Sequence, residues 1–189
     1  MKKTIAILLV LVIGMVGVFA DTAKIDITTS VTPINGIIVT VIDEAITPLI
    51  STSTYADFSA LATSAFDIAT DTPVTVERPT SLNAYSDIGY LHYYSNQAAA
   101  FSTTVTAAPL ASAAGIITST IDYRVKVGTD VYNTTAGSMG TVVSLRTGTE
   151  TTSTIGTKTI SVSLDPDDFD SAMVANDYEG IITFTFTAV

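Results

Sequence analysis

The sequence contains no cysteine and no tryptophan, and its single histidine is His92. Without thiols there is no disulfide framework, no thiolate metal site, no cysteine nucleophile and no lipidated N-terminal cysteine. One imidazole leaves almost nothing for histidine-based acid–base or triad chemistry, so an enzyme is not expected. Positive charge is scarce as well: eight Lys and Arg stand against 18 Asp and Glu, a formal charge of -10. With no basic surface to neutralise phosphates, nucleic acid is excluded as a partner. No motif for a cofactor is present, and long helical periodicity is rare.

Lys2 and Lys3 precede an apolar run that ends in Val18-Phe19-Ala20 before Asp21. This is the layout of a Sec-type signal peptide over residues 1–20, and its about 15 apolar residues fall short of the roughly 20 that a helical membrane span needs. The protein is therefore expected to be exported to the periplasm, the cell surface or the medium, and not to be membrane-embedded after cleavage. Cleavage removes Lys2 and Lys3 and no acidic residue, leaving six of the eight basic residues against all 18 acidic ones, a charge of about -12 that resists nonspecific association. At 189 residues, 47% of them hydrophobic, the chain suits one domain with a real core.

Thr is abundant throughout, and Val and Ile dominate the apolar set, the composition of half-buried strands. The clearest alternation sets Ile117, Ser119, Ile121, Tyr123, Val125 and Val127 against Thr118, Thr120, Asp122, Arg124 and Lys126, and Gly128-Thr129-Asp130 then turns the chain into a hairpin. In the last strand Ile182, Phe184, Phe186 and Ala188 alternate with Thr183, Thr185 and Thr187. Further strands are expected at 36–42, 74–78, 90–94, 101–107, 141–145 and 160–164, about ten in all with the first mature segment. Phe58, Leu61, Ala62, Ala65 and Phe66 give residues 55–69 the spacing of a short helix or a packed loop. Asp165-Pro166-Asp167-Asp168 predicts one or two helical turns, with Asp165 as N-cap and Pro166 in the first helical position. Residues 107–115, 133–140 and 147–156 read as loops. The fold class is all-β, a sandwich or barrel with one or two short helical turns.

Directly after the leader, Ile25, Ile27, Thr29 and Val31 alternate with Asp26, Thr28 and Ser30, and Pro33 ends the ladder by removing a donor. Ile-x-Ile-x-Thr-x-Val-x-Pro in this position resembles the N-terminal extension of the Cys-free colonisation-factor-type fimbrial subunits of the alternate chaperone-usher class. Tyr178-Glu179-Gly180 before the last strand is similar to the Tyr-x-Gly that leads into the final strand of many bacterial pilins. These two segments cover only the ends of the mature chain. The resemblance implies an immunoglobulin-like antiparallel β-sandwich that lacks one strand, in a pilus or fimbrial subunit with a role in adhesion. It also implies self-association by strand exchange, and a periplasmic chaperone and an outer-membrane usher as partners. On this reading residues 21–33 are the donated strand, with Ile25, Ile27, Thr29 and Val31 as its buried face, and residues 34–189 form the sandwich. Ile182, Phe184 and Phe186 would flank the acceptor groove and meet the chaperone. The physical basis is β-augmentation, in which an exposed sheet edge collects backbone hydrogen bonds while alternate side chains fill the core. Residues 24–32 are equally readable as the first strand of a complete, monomeric fold.

In a strand, Tyr90, His92 and Tyr94 lie on the face opposite Leu91 and Tyr93. If Leu91 and Tyr93 point inward, the first three are exposed as a ligand or subunit-contact patch, with ordinary sheet packing as the plainer reading. That patch defines the alternative function, a monomeric secreted β-sandwich binding module or adhesin for carbohydrate or host protein. The acidic run Asp165, Asp167, Asp168 and Asp170 has the hard oxygens calcium needs but not the glycine and distal Glu of an EF-hand, and capping with a solvated loop explains it. A small outer-membrane barrel fits the length, but 8% aromatics and no Trp supply poor interfacial girdles. No catalytic, cofactor-binding or metal-binding residue is assigned.

Overall fold

Val, Ile and Thr recur at every second position, and the backbone is correspondingly extended. A computed structural model describes residues 34–41, 46–61, 74–112, 118–134, 139–147, 152–173 and 178–188. The leader 1–20 and the segment 21–33, with Ile25, Ile27, Thr29 and Val31, lie outside the described residues, as do residues 62–69 of the expected helix or packed loop. The described residues include eleven strands: β1 Asn35–Val41, β2 Ser86–Ser95, β3 Phe101–Ala107, β4 Leu110–Ser112, β5 Thr120–Ile121, β6 Tyr123–Val127, β7 Asp130–Asn133, β8 Met139–Arg146, β9 Thr154–Leu164, β10 Tyr178–Glu179 and β11 Ile182–Ala188. Two short helices join them, α1 Tyr55–Leu61 and α2 Pro166–Ser171. All pairings are antiparallel, in a five-stranded sheet ordered β1-β2-β9-β6-β7, a three-stranded sheet β11-β3-β8 and a small sheet β10-β4-β5. Of the all-β expectation with one or two short helical turns, the structure shows a mostly-β fold of antiparallel sheets with two short helices.

One core joins the two larger sheets. Leu91, Val125, Val127, Ile160 and Val162 from the first, and Phe101, Val105 and Val143 from the second, form a continuous buried cluster. β3 shows the pattern most cleanly: Phe101, Thr103, Val105 and Ala107 are buried, whereas Ser102, Thr104 and Thr106 face away. On that outer face Thr106, Thr104 and Ser102 stand opposite Thr183, Thr185 and Thr187 of β11, giving a surface of paired hydroxyls. The sheet margins also come together, since β1 approaches β11, and β7 approaches β8, to within 8 Å between Cα atoms.

Local chemistry explains the turns. Gly128 opens the two-residue loop between β6 and β7 with φ 63°, the left-handed conformation that suits glycine at the first loop position. Asp165 caps α2 by accepting from the Asp167 and Asp168 backbone N–H groups, with Pro166 in the first turn, as the sequence predicts. α1 begins at a reciprocal cap: Thr54 N–H donates to Asp57 Oδ2 at 2.6 Å and Asp57 N–H to Thr54 Oγ1 at 3.3 Å.

Four expectations are corrected. Residues 74–78 are not a strand; Val74, Thr75, Glu77 and Arg78 are exposed, Pro79 offers no donor, and Arg78 instead meets Asp170 at 2.6 Å. The long strand through 117–127 is broken at Asp122, whose N–H donates to Asp168 Oδ2 at 3.1 Å and whose carbonyl accepts from Asp165 N–H at 2.8 Å. β5 and β6 therefore join different sheets. The loop expected at 107–115 contains β4, recruited by β5 and β10, and β9 starts at Thr154 inside the loop expected at 147–156.

Candidate functional site

β1 and β11 are each paired on one side only among the described residues, β1 with β2 and β11 with β3. Both have an alternating inner face that packs on the shared core: Ile37 and Val39 from β1, and Ile182, Phe184 and Phe186 from β11. All five are only half-buried, unlike Leu91, Val105 and Val125 on the interior strands, which are fully buried. The sequence-predicted residues Ile182, Phe184 and Phe186 thus share one face at a sheet margin, beside the inner face of a second margin. β1's place there was not readable, because adjacency of two edges is set by long-range pairing.

Aromatic rings floor one end of this region. Phe186 lies 5.8 Å from Phe101, and Phe101 lies 6.0 Å from Tyr93, centroid to centroid. Tyr93 fits there because its cross-strand partner is Gly156; a Cβ at Gly156 would sit 2.5 Å from the Tyr93 Oη and 2.8 Å from Cζ. Gly156→Ala is expected to lower stability by about 1–3 kcal/mol through overpacking, read by urea unfolding. The Arg146 guanidinium covers Phe101 from 5.1 Å and donates to the carbonyls of Gln97 and Ala99 and to Thr154 Oγ1. It thereby fixes the loop between β2 and β3.

The Tyr-x-Gly lead into β11 is a built corner. Tyr178 Oη donates to the Met173 carbonyl at 3.0 Å and pairs with Ser119 Oγ at 2.5 Å. Gly180 lets the chain pass close over Leu110, whose Cδ2 would be 2.6 Å from an added Cβ. Nearby, the Tyr123 hydroxyl is buried with no hydrogen-bond partner among the described residues, and burial pushes it up to about 12.

The exposed patch expected of Tyr90, His92 and Tyr94 is corrected. The three do share the face opposite Leu91, but His92 is 0% exposed and Tyr94 8%. Leu49 and Phe58 cover Tyr94, with Ile34, Ile38 and Ile155 packed around them, so residues 46–61 form a second layer over this face. His92 Nε2 lies 3.0 Å from Thr40 Oγ1 and Nδ1 lies 2.9 Å from Thr157 Oγ1, which also accepts the Leu49 N–H at 2.8 Å. Burial pushes the imidazole down to about 4, so it is neutral at physiological pH. Phe58 and Leu49 carried no signal for this role, since nothing local says which strand face they cover.

Three carboxylates of the acidic run have protein partners. Asp165 caps α2, Asp168 accepts from Asp122 N–H, and Asp170 pairs with Arg78, a hydrogen bond that lowers the Asp170 carboxyl. Burial, then the Asp168 and Asp165 charges, raise Asp122. Among the described residues no group of three or more His, Cys, Asp or Glu is placed to hold a metal ion, and no helix is long and apolar enough to cross a membrane. No protein-family model, curated protein or solved structure matches this chain.

Proposed function

We propose that this protein is a structural subunit of a bacterial surface fibre, assembled when residues 21–33 of one copy complete the β1/β11 margin of another. The observation that carries the reading is the half-buried inner face of Ile37, Val39, Ile182, Phe184 and Phe186 on two adjacent edges that are each paired on one side only among the described residues. An incoming strand would pair with the backbone of such an edge and cover these side chains together. Its own Ile25, Ile27 and Val31 would add about 1.5–3 kcal/mol each by area.

The finer fold in this proposal is an immunoglobulin-like sandwich of the two larger sheets. Support comes from the single core they share and from their two pairs of neighbouring margins. β1 starts and β11 finishes at the end of the fold where the loop 96–100 joins β2 to β3. A donated strand antiparallel to β11 would therefore run in the direction of β1 and leave at the opposite end, where its own subunit continues. Such a contact is head-to-tail, and a head-to-tail contact whose rotation does not close propagates as a fibre. A periplasmic chaperone would hold the same Phe184 and Phe186 face before an usher exchanges it. The alternative of a binding module draws no support from Tyr90, His92 and Tyr94, because His92 and Tyr94 are covered.

The test is the size distribution of the mature protein from its native host in SDS, unheated and boiled. A ladder that collapses on heating to one band is expected. One monomer band under both conditions overturns the proposal.

A further inference from the structure

A chain with 18 acidic residues has ample carboxylates for its few cations, so a cation left without one calls for a reason. Arg78 meets Asp170 at 2.6 Å, Arg146 is buried over Phe101, and Lys158, opposite Leu91, lies against Gly128. Arg124 and Lys126 differ. They stand two positions apart on the outer face of β6, away from the buried Val125 and Val127. Arg124 Nη1 donates to Asn83 Oδ1 at 2.9 Å, and Lys126 Nζ sits 5.4 Å from the centre of the Tyr85 ring. These neutral partners fix both cations without neutralising them, and neither cation has a carboxylate within ion-pair distance among the described residues. Lys126 is the direct cross-strand partner of Val131 in β7, which is 48% exposed. The face thus sets two positioned charges, about 7 Å apart along the strand, beside an uncovered apolar side chain.

The opposite combination adjoins it. Asp122, two positions before Arg124, donates its N–H to Asp168 and accepts the Asp165 N–H with its carbonyl, which ties the start of β6 to the α2 turn. That turn brings Asp122, Asp165, Asp167, Asp168 and Asp170 together against Arg78 alone. Asp167 is exposed, and Met173, just beyond the helix, is 61% exposed.

We infer that the outer face of β6 and β7 is a docking site for the α2 turn of a second copy of this chain, with Asp167 set against Arg124 and Lys126 and Met173 laid over Val131. Charge and apolar surface then complement each other in one contact. Because the basic and acidic regions adjoin in each copy, a two-fold axis makes the contact twice and the pair closes. Two copies at about -12 each repel as a whole, but physiological salt screens that repulsion beyond about 8 Å, whereas the docked charges face each other directly. Exposed ion pairs are weak one at a time, so the dimer depends on the contact being doubled and on its apolar pair. The contact uses neither residues 21–33 nor the β1 and β11 margins. It is therefore separate from strand exchange, and in a fibre it would join two strands of subunits side by side.

A directional cross-link tests it, in a chain with no cysteine of its own. Mature protein carrying Val131→Cys is mixed with mature protein carrying Met173→Cys in about 0.15 M salt and mildly oxidised, and the products are boiled in SDS without reductant. Boiling collapses strand-exchanged polymers and leaves disulfide dimers. The mixture is expected to give several-fold more dimer than either variant alone. Lys126→Glu in the first partner, or Asp167→Lys in the second, is expected to lower that dimer several-fold, because attraction at the cross-linked contact becomes repulsion. Both reversals together should recover it. A mixture that gives no more dimer than its separate components overturns the docking, as does a dimer that neither reversal lowers or that the two together fail to recover. The unheated samples report strand exchange independently: a missing ladder with the cross-link retained overturns strand exchange and supports the docking.

Discussion

On the strand-exchange proposal, mature subunits carrying Ile27→Asp are expected to form no heat-sensitive ladder, whereas subunits carrying Thr28→Asp are expected to polymerise as the parent would. The two positions are neighbours in sequence and would face opposite sides of a donated strand. At position 27 the carboxylate would be carried to the core side of the added strand, and burying an unpaired charge costs several kcal/mol. Each 1.4 kcal/mol is about tenfold in the exchange equilibrium, so about 4 kcal/mol removes polymer from any practical concentration. At position 28 the new charge stays in water. Equal ladders from both variants would mean that the segment's apolar face is not what the neighbour receives. Phe184→Asp is expected to give the reciprocal result, a subunit that can donate but not accept, and it should shorten parental polymers when mixed with them.

Acid weakens the monomer through His92. The imidazole has an ordinary value of 6.5 and is pushed down to about 4 by burial between β1, β2 and β9. Its surroundings are the Thr40 and Thr157 hydroxyls and the Tyr90 ring at 5.9 Å. As pH falls below 6.5 the unfolded chain takes up a proton that the folded chain refuses, so stability drops through the window from 6.5 to about 4 and this loss stops below it. The full window is worth up to about 3 kcal/mol at 1.36 kcal/mol per pH unit. Asp57 and Asp170, whose hydrogen bonds hold their carboxyls below the ordinary 3.8, act at lower pH than this window. Urea unfolding at pH 7 and pH 4.5 measures the difference, and His92→Gln should remove it. A parent and variant with the same pH slope would show that the site admits the proton without cost.

The strands that sequence defined well are those whose faces meet unlike surroundings. β3 and β11 alternate cleanly because one side touches the core and the other water, and β3 matches its expected bounds of 101–107. The α2 cap was legible for a similar reason, since its contacts are local. Where a strand is covered on both faces, periodicity assigns the face but not its environment. His92 fell on the expected side of β2, yet the layer over it comes from residues 46–61, and Leu49 N–H reaches Thr157 across 108 positions of sequence. The break at Asp122 was hidden in the same way, because the competing acceptor is Asp168, 46 residues on.

The hydroxyl face of β11 and β3 has a consequence for the medium in which such a surface can work. Thr183, Thr185 and Thr187, opposite Thr106, Thr104 and Ser102, bind water through groups that carry no charge at any biological pH. Neither acid nor salt changes their hydration, in contrast with the carboxylates around α2, which acid neutralises and salt screens. Threonine also keeps the β-branched shape that stiffens a strand without offering neighbouring molecules a greasy patch. Along any array of these subunits, the flank formed by this sheet would remain wet and chemically constant wherever the fold itself survives.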